Sequence, residues 1–184
     1  MGLPFDPVDL SFTPLSEKCP REAFSCGDDT VDRWFREQSE NHHSKYRCRV
    51  TTVEAPGGGM PVAFYALSMK SVKQHLLTKD LVGKMFVKFT DQFPSLHAEW
   101  VAVRKDLQDN GLGKFLMGVI LNDFFEAIDK FGLQAMTLEA IDQKTEDFYY
   151  KIGFRRYGPP VLRRQMLIGA RAVVEGRNRL EQGA

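Results

Sequence analysis

Residues 96–131 place the strongest constraint on what this chain can fold into. An apolar run, Leu96–Val103 (LHAEWVAV), enters a turn with two glycines, Gln108-Asp109-Asn110-Gly111-Leu112-Gly113-Lys114, and a long amphipathic stretch follows. In that stretch Leu116, Val119/Ile120, Phe124, Ala127/Ile128 and Phe131 recur at helical spacing, and Gly132 supplies the stop. A strand that turns through glycines into a helix aims backbone N–H groups and the positive helix end into one concavity. That geometry suits a pyrophosphate, with Lys114 adding charge at the first turn. Taken alone, Asn-Gly and Leu-Gly also make ordinary tight turns, so both readings stand at this point.

A chain of 184 residues is close to the size of one domain, and residues 1–184 are read as a single one. Hydrophobic residues at 43% and charged ones at 27% argue against disorder and coiled coil. No apolar run reaches the roughly 18 residues of a membrane helix. The opening MGLPFDPVDL carries acids and prolines where a secretory signal would carry a basic region. The expected setting is the cytoplasm, without a membrane. Cys19, Cys26 and Cys48 are odd in number and form no C-x-x-C, which speaks against a disulfide framework or a cysteine-rich zinc site. His42, His43, His75 and His97 lack ligand spacing, so no metal is expected.

Charge is unevenly spread behind a formal net of +1. Residues 1–44 carry −5, 45–90 carry +6, 91–154 carry −5 and 155–184 carry +5. Clustered Lys and Arg gain by releasing phosphate counterions, so a polyanionic partner is one reading and ordinary solvated surface the other.

The remaining elements follow from local pattern. Phe12–Leu15 reads as an opening strand. A helix starts at Asp28 or Asp29, burying Val31, Trp34 and Phe35 and turning Asp32, Arg33, Arg36 and Glu37 outward. Tyr46–Glu54 and Val62–Met69 read as strands joined through Pro56-Gly57-Gly58-Gly59, which is no phosphate loop because no Lys-Ser/Thr follows it. Lys79–Val87 reads as a helix and Leu133–Ala140 as a strand. Thr145–Lys151 is a short helix ended by Gly153, and Phe154–Tyr157 and Gln165–Ile168 are two strands across Gly158-Pro159-Pro160. Strands and helices mix without strict alternation, which predicts a mixed α/β (α+β) sheet with helices packed on it.

A second motif lies about 35 residues beyond the glycine turn. Gln108-x-x-Gly111-x-Gly113 followed by Phe148-Tyr149-x-x-x-Gly153-Phe154, with Trp100-Val101-Ala102-Val103 before them, resembles the signature of the GNAT superfamily of N-acetyltransferases. The likeness covers about residues 60–168. It implies the GNAT-like acyl-CoA N-acyltransferase fold, a mostly antiparallel central sheet flanked by helices, and acetyl-CoA as cosubstrate.

By the same resemblance, the backbone of Val101, Ala102 and Val103 pairs with the pantetheine arm. The amides of Gln108, Asp109, Asn110, Gly111, Leu112, Gly113 and Lys114 hold the pyrophosphate. Tyr149 protonates the leaving thiolate, since a phenol is neutral at pH 7. Tyr150 is out of register with the motif and is read as packing. Glu99 is the candidate general base and His97 a weaker one, both on the face of Val101 in a regular strand. A readily deprotonated amine needs no side-chain base. Thr145 and Asp142 stand where the family more often has Ala and Asn, which puts the contact of that Asn in doubt.

Phe24-Ser25-Cys26-Gly27…Val31-Asp32-Arg33-Trp34-Phe35-Arg36 and Tyr65-Ala66-Leu67-Ser68 are similar to a GNAT subgroup. Its members are toxins of bacterial toxin–antitoxin pairs that acetylate the amino acid on charged tRNA. The resemblance implies charged tRNA as acceptor, a small ribbon-helix-helix antitoxin as partner and a homodimer. Lys45, Arg47, Arg49, Lys70, Lys73, Lys79, Lys84, Lys88, Arg155, Arg156, Arg163 and Arg164 are then the candidates for tRNA phosphates. The alternatives are an acetyltransferase of a small or peptide amine, and a binding module without catalysis.

Overall fold

The computed structural model describes residues 2–85, 90–159 and 164–182. In chain order it holds β1 (Ser11–Pro14), α1 (Asp29–Glu37), α2 (Ser39–Ser44), β2 (Arg49–Glu54), β3 (Ala63–Lys73) and α3 (Lys79–Met85). There follow β4 (Gln92–Val103), α4 (Leu112–Phe131), β5 (Ala135–Ala140), α5 (Gln143–Ile152), β6 (Arg155–Arg156), β7 (Arg164–Gly169) and α6 (Ala170–Gln182). Among the described residues the strands hydrogen-bond in the order β1-β2-β3-β4-β5-β7-β6. β4 and β5 are parallel, whereas β1–β2, β2–β3, β5–β7 and β6–β7 are antiparallel. This is the mixed, mostly antiparallel sheet that the sequence predicts.

Two compact units divide the chain. The first comprises Met1–Ser68 and Glu99–Ile120, the second Met69–Ala98 and Leu121–Ala184, so β3, β4 and α4 each contribute residues to both.

In the first unit the core gathers around Phe24, Phe35 and Phe64, all fully buried. Phe35 stacks on Phe64 at 3.9 Å between ring centres, and Phe24 meets both edge-on at 5.0 and 5.4 Å. Such pairs add about 0.5–1.5 kcal/mol beyond area burial. α1 supplies Val31, Trp34 and Phe35 to this core, and Asp28 caps it by accepting from the amides of Thr30 and Val31. Val50 of β2, Phe64 and Ala66 of β3 and Ala102 of β4 complete the cluster.

One expectation for α1 fails. Asp32 is not outward but 3% exposed. The Ser25–Gly27 loop folds back over the first turn of α1 and donates to its carboxylate. β2 begins at Arg49, later than the predicted Tyr46, because Tyr46 adopts a left-handed φ of 57° in the turn after α2.

The second unit packs α3 on the sheet through Leu81 and Met85, with Leu77 before it, against Val72, Phe93, Ala135 and Leu167. The predicted helix over Lys79–Val87 is observed as Lys79–Met85, and Val87 lies outside the described residues, as does Pro160 of the predicted turn. α5 opens on a capping box in which Asp142 accepts from the Thr145 amide at 2.7 Å while the Thr145 hydroxyl receives the Asp142 N–H at 3.2 Å. The two departures from the family pattern thus form one helix cap. α5 ends at Gly153, where φ is 117° and an added Cβ would stand 3.3 Å from Ile168 Cδ1.

Candidate active site

The turn between β4 and α4 is built to present backbone donors. Asp109 and Gly111 both take left-handed φ values, 59° and 86°, on either side of Asn110. Only glycine adopts this conformation freely. Asn110 stabilises the bend by donating its side-chain amide to the Gln108 carbonyl at 2.8 Å. The first bond of the helical ladder runs from Phe115 N–H to Gly111 C=O, 3.1 Å. The amides of Leu112, Gly113 and Lys114 precede it and point out of the terminus, with the helix dipole behind them. Leu112 anchors the turn with its side chain 1% exposed, and Gly111 and Lys114 lie at the surface. Such a cradle fits a pyrophosphate.

Gln108 ties the start of the turn to two other segments through its side chain. Its side-chain amide donates to Val103 C=O at 2.9 Å and to Cys26 C=O at 2.7 Å. Next to it Lys105 N–H donates to Ser25 C=O at 2.9 Å. Asp32 holds the other end of this link, accepting from the Ser25 hydroxyl at 2.6 Å and from Cys26 N–H at 2.7 Å. Burial alone would raise the Asp32 carboxyl, but these donors outweigh it and hold it below the ordinary range. A run of contacts therefore leads from α1 through residues 25–27 to the glycine turn. In the sequence its trace is the segment Ser25-Cys26-Gly27 followed by Asp32, one residue after the apolar Val31.

Glu99 accepts from the Ser68 hydroxyl at 2.7 Å. With Trp34, Trp100, Gln38, His42 and Arg47 it lines a hollow of about 350 Å³. The two indoles lie 5.3 Å apart, and His42 meets Trp34 edge-on. Burial first, and then the charge of Glu99, push the thiol of Cys48 up to about 11, so it stays protonated there. Val101 and Val103 of β4 are half-buried and Ala102 packs into the core, which turns its methyl away from the surface. The register of β4 with β5 ends at Ala98–Leu138, and β4 runs on for five further residues. His97 and Ala98 are buried in succession, so the strict alternation expected of β4 breaks there. His97 bonds Thr137 Oγ1 through its Nδ1 at 2.8 Å.

Tyr149 sits on α5 with 7% exposure, against the ring of Phe148 at 5.3 Å and that of Phe154 at 5.8 Å. Burial pushes its phenol up to about 12. Tyr150, read as packing, is instead 38% exposed, and Arg155 stacks over its ring at 5.6 Å. Its position one residue on turns it about 100° around the helix axis, off the buried face.

One turn before Tyr149, Glu146 is 1% exposed and is gripped by two guanidinium groups, Arg156 of β6 and Arg164 of β7, the latter at 2.9 Å. The bonds from Arg156, together with both positive charges, hold its carboxyl below the usual range against the opposing effect of burial. Arg156 and Arg164 are thereby engaged within the fold and not left to phosphate alone, as the sequence suggested. Arg155 donates to the carbonyls of Tyr150 and Phe154, and Lys84 pairs with Asp80 at 2.7 Å. Arg49 stacks on Tyr46 at 5.7 Å, and Lys88 and Arg163 lie outside the described residues. Among the described residues no group of three His, Cys, Asp or Glu side chains could hold a metal ion, and no helix is long and apolar enough to cross a membrane.

A strand that outruns its parallel neighbour, a glycine turn at a helix terminus and a buried tyrosine on the helix after β5 together define the GNAT acetyltransferase fold. The chain has that fold and, within it, resembles the tRNA-acetylating toxins. It is 28% identical over 134 residues to a tRNA-acetylating toxin of Mycobacterium tuberculosis, covering 72% of this chain and 76% of that protein. A crystal structure of a tyrosine-to-phenylalanine mutant of KacT superposes with a TM-score of 0.80 at 17% identity, over 91% of this chain and 98% of that one. AtaT complexed with acetyl-methionyl-tRNAfMet gives a TM-score of 0.79 at 17% identity, over 90% and 97%. AtaTR bound with acetyl-CoA gives 0.76 at 18% identity, over 90% and 96%. No protein-family model matches the chain.

Proposed function

We propose that this protein is an acetyl-CoA-dependent N-acetyltransferase that modifies the α-amino group of aminoacyl-tRNA and so blocks translation as a toxin. The observation that carries the reading is the left-handed turn Asp109–Gly111 at the terminus of α4, where the amides of Leu112, Gly113 and Lys114 precede the helical ladder that starts at Phe115. The relative named as a tRNA-acetylating toxin, and the likeness in fold to AtaT bound with acetyl-CoA and with acetyl-methionyl-tRNAfMet, support the choice of donor and acceptor.

In the proposed reaction the neutral amine nitrogen bonds to the acetyl carbon as the carbon–sulfur bond breaks. The sulfur takes the phenolic proton of Tyr149, and the proton lost by the amine restores the phenol through solvent. Val101 to Val103 hold the pantetheine arm as an added strand, and the Val101 amide faces the developing oxyanion. Glu99 takes the amine's proton if a side-chain base is used, and its bond from Ser68 fixes the carboxylate for that role. Residues 1–184 act as one acetyltransferase domain, supported by the three elements common to both units. A cytoplasmic location follows from the acceptor. A ribbon-helix-helix antitoxin and a homodimer belong to the same reading; AtaT has been solved bound to the C-terminus of the antitoxin AtaR.

The test is incubation with labelled acetyl-CoA and total charged tRNA beside a panel of small amines. Label on the aminoacyl group, with transfer falling steeply as salt is added, is the expected result. Label on small amines alone supports the second reading, an acetyltransferase of small or peptide amines.

A further inference from the structure

Two side chains of α5 are buried, Glu146 and Tyr149, and one of them is a carboxylate. They lie three residues apart, which puts them on one face of the helix a turn from each other. A helix of ten residues is marginal by itself, so its caps and its buried contacts decide where it sits. Glu146 has no part in the chemistry assigned to Tyr149, yet it is the most heavily bonded side chain of the helix.

Both oxygens of Glu146 are used. Arg156 of β6 donates through Nε to Oε1 and through Nη2 to Oε2 at 2.5 Å, and Arg164 of β7 reaches Oε2 at 2.9 Å. β6 and β7 are antiparallel neighbours, with Arg156 opposite Met166, so the carboxylate is held from both strands of the pair. Next in sequence to Arg156, Arg155 donates to the carbonyls of Tyr150 and Phe154 at 3.2 and 2.7 Å. Two consecutive arginines therefore grip α5 on either side of Tyr149, one at the turn before it and one at the carbonyls after it. There the N–H groups of Gly153 and Phe154 both donate to Tyr149 C=O, at 3.2 and 3.1 Å.

Stability alone gives no reason for a charge at this position. An apolar side chain would hold a helix on a sheet about as well, because desolvating an ion pair costs about as much as its attraction returns. What the pair adds is direction, since the planar fork of Arg156 matches one orientation of the carboxylate. Direction matters at Tyr149. A general acid acts only within hydrogen-bond reach of the atom it protonates, and a misplacement of about 1 Å costs about 10²-fold in rate.

We propose that Glu146 is a positioning residue: its clamp by Arg156 and Arg164 sets the rotation and height of α5 and so aims the Tyr149 phenol at the leaving sulfur. The assignment rests on the function proposed above, in which Tyr149 is the acid.

The experiment is a double-mutant cycle on kcat at saturating acetyl-CoA, with the acceptor that the labelling test identifies. Arg156→Gln removes a guanidinium from a side chain that is 48% exposed, so the fold tolerates it. It is expected to lower kcat at least tenfold when Tyr149 is present, with the Kd for acetyl-CoA within twofold and the far-ultraviolet spectrum native. In the Tyr149→Phe protein the same change is expected to alter kcat less than twofold, since no phenol is left to aim. Arg156→Lys keeps the charge without the fork and is expected to lose at least threefold, again only beside Tyr149. Reading kcat at saturation leaves any grip of Arg156 on an acceptor phosphate in KM. Equal losses in the two backgrounds, or kcat within twofold of the unaltered protein for both Arg156 variants, overturn the positioning role and leave the function standing. Undiminished kcat in Tyr149→Phe, or no acetyl transfer by the unaltered protein to any amine, overturns the function as proposed and the positioning role with it.

Discussion

Tyr149 and Tyr150 are neighbours with opposite fates. Tyr149 is enclosed by Phe148 and Phe154 with its phenol pushed up to about 12, and Tyr150 stands in solvent under Arg155. A phenol raised in this way keeps its proton throughout the range in which amines lose theirs. Replacing Tyr149 with Phe should lower turnover by about 10²–10⁴ with acetyl-CoA affinity retained, as loss of a general acid does. For the unaltered protein, turnover should rise with pH as the amine deprotonates and show no descending limb near pH 10. A pH–rate profile on a stable small-amine acceptor checks the second point, and a fall centred at 10 would assign the acid role to a group of ordinary pKa.

Among the elements, the glycine turn and the first helix are coupled by side chains. Gly111→Val should abolish acetyl-CoA binding while the far-ultraviolet spectrum stays native, because φ of 86° excludes a β-branched residue only at this exposed turn. Asp32→Asn keeps the shape but weakens the hold on Ser25 and Cys26. It should raise the Kd for acetyl-CoA severalfold by calorimetry, although Asp32 is no part of the cradle. The strands, the helices after them and the turn were legible because their periodicity and glycines are local. Three features were not. α6 buries none of its residues, so no apolar stripe marks it. Asp32 is polar on a helix whose other polar residues do face water, and only the returning loop makes its burial favourable. The pairing of His97 with Thr137 is likewise invisible in sequence, since the β4–β5 register alone joins positions 40 apart.

For the whole molecule, the groups with displaced pKa values bracket the pH range of stability. Burial raises Cys26 and Cys48 from 9.0 to about 12 and about 11, and Tyr149 and Tyr157 from 10.0 to about 12. The folded state binds these protons more tightly than the unfolded one. Their contribution is complete below pH 9 and is lost as pH rises through the window from 9 to 12. Asp32, Asp142 and Glu146 are lowered, so theirs is present above the ordinary carboxyl range and lost as pH falls through it. Thermal denaturation should give a midpoint that is level between pH 6 and 8 and declines from pH 9 to 11. A midpoint unchanged up to pH 11 would show that these four groups are accessible to solvent.

The strap from Asp32 through Ser25 and Cys26 to Gln108 makes the opening of the chain a gauge of donor occupancy. Ordering of the turn on docking of the thiol carrier is therefore expected to pass along the strap into α1. Deuterium uptake by the amides of residues 25–36 should slow on adding acetyl-CoA in the unaltered protein, and the slowing should vanish once Asp32 is changed to Asn. A defect in the first forty residues would then surface as a loss of grip on the donor, far along the sequence from the lesion itself.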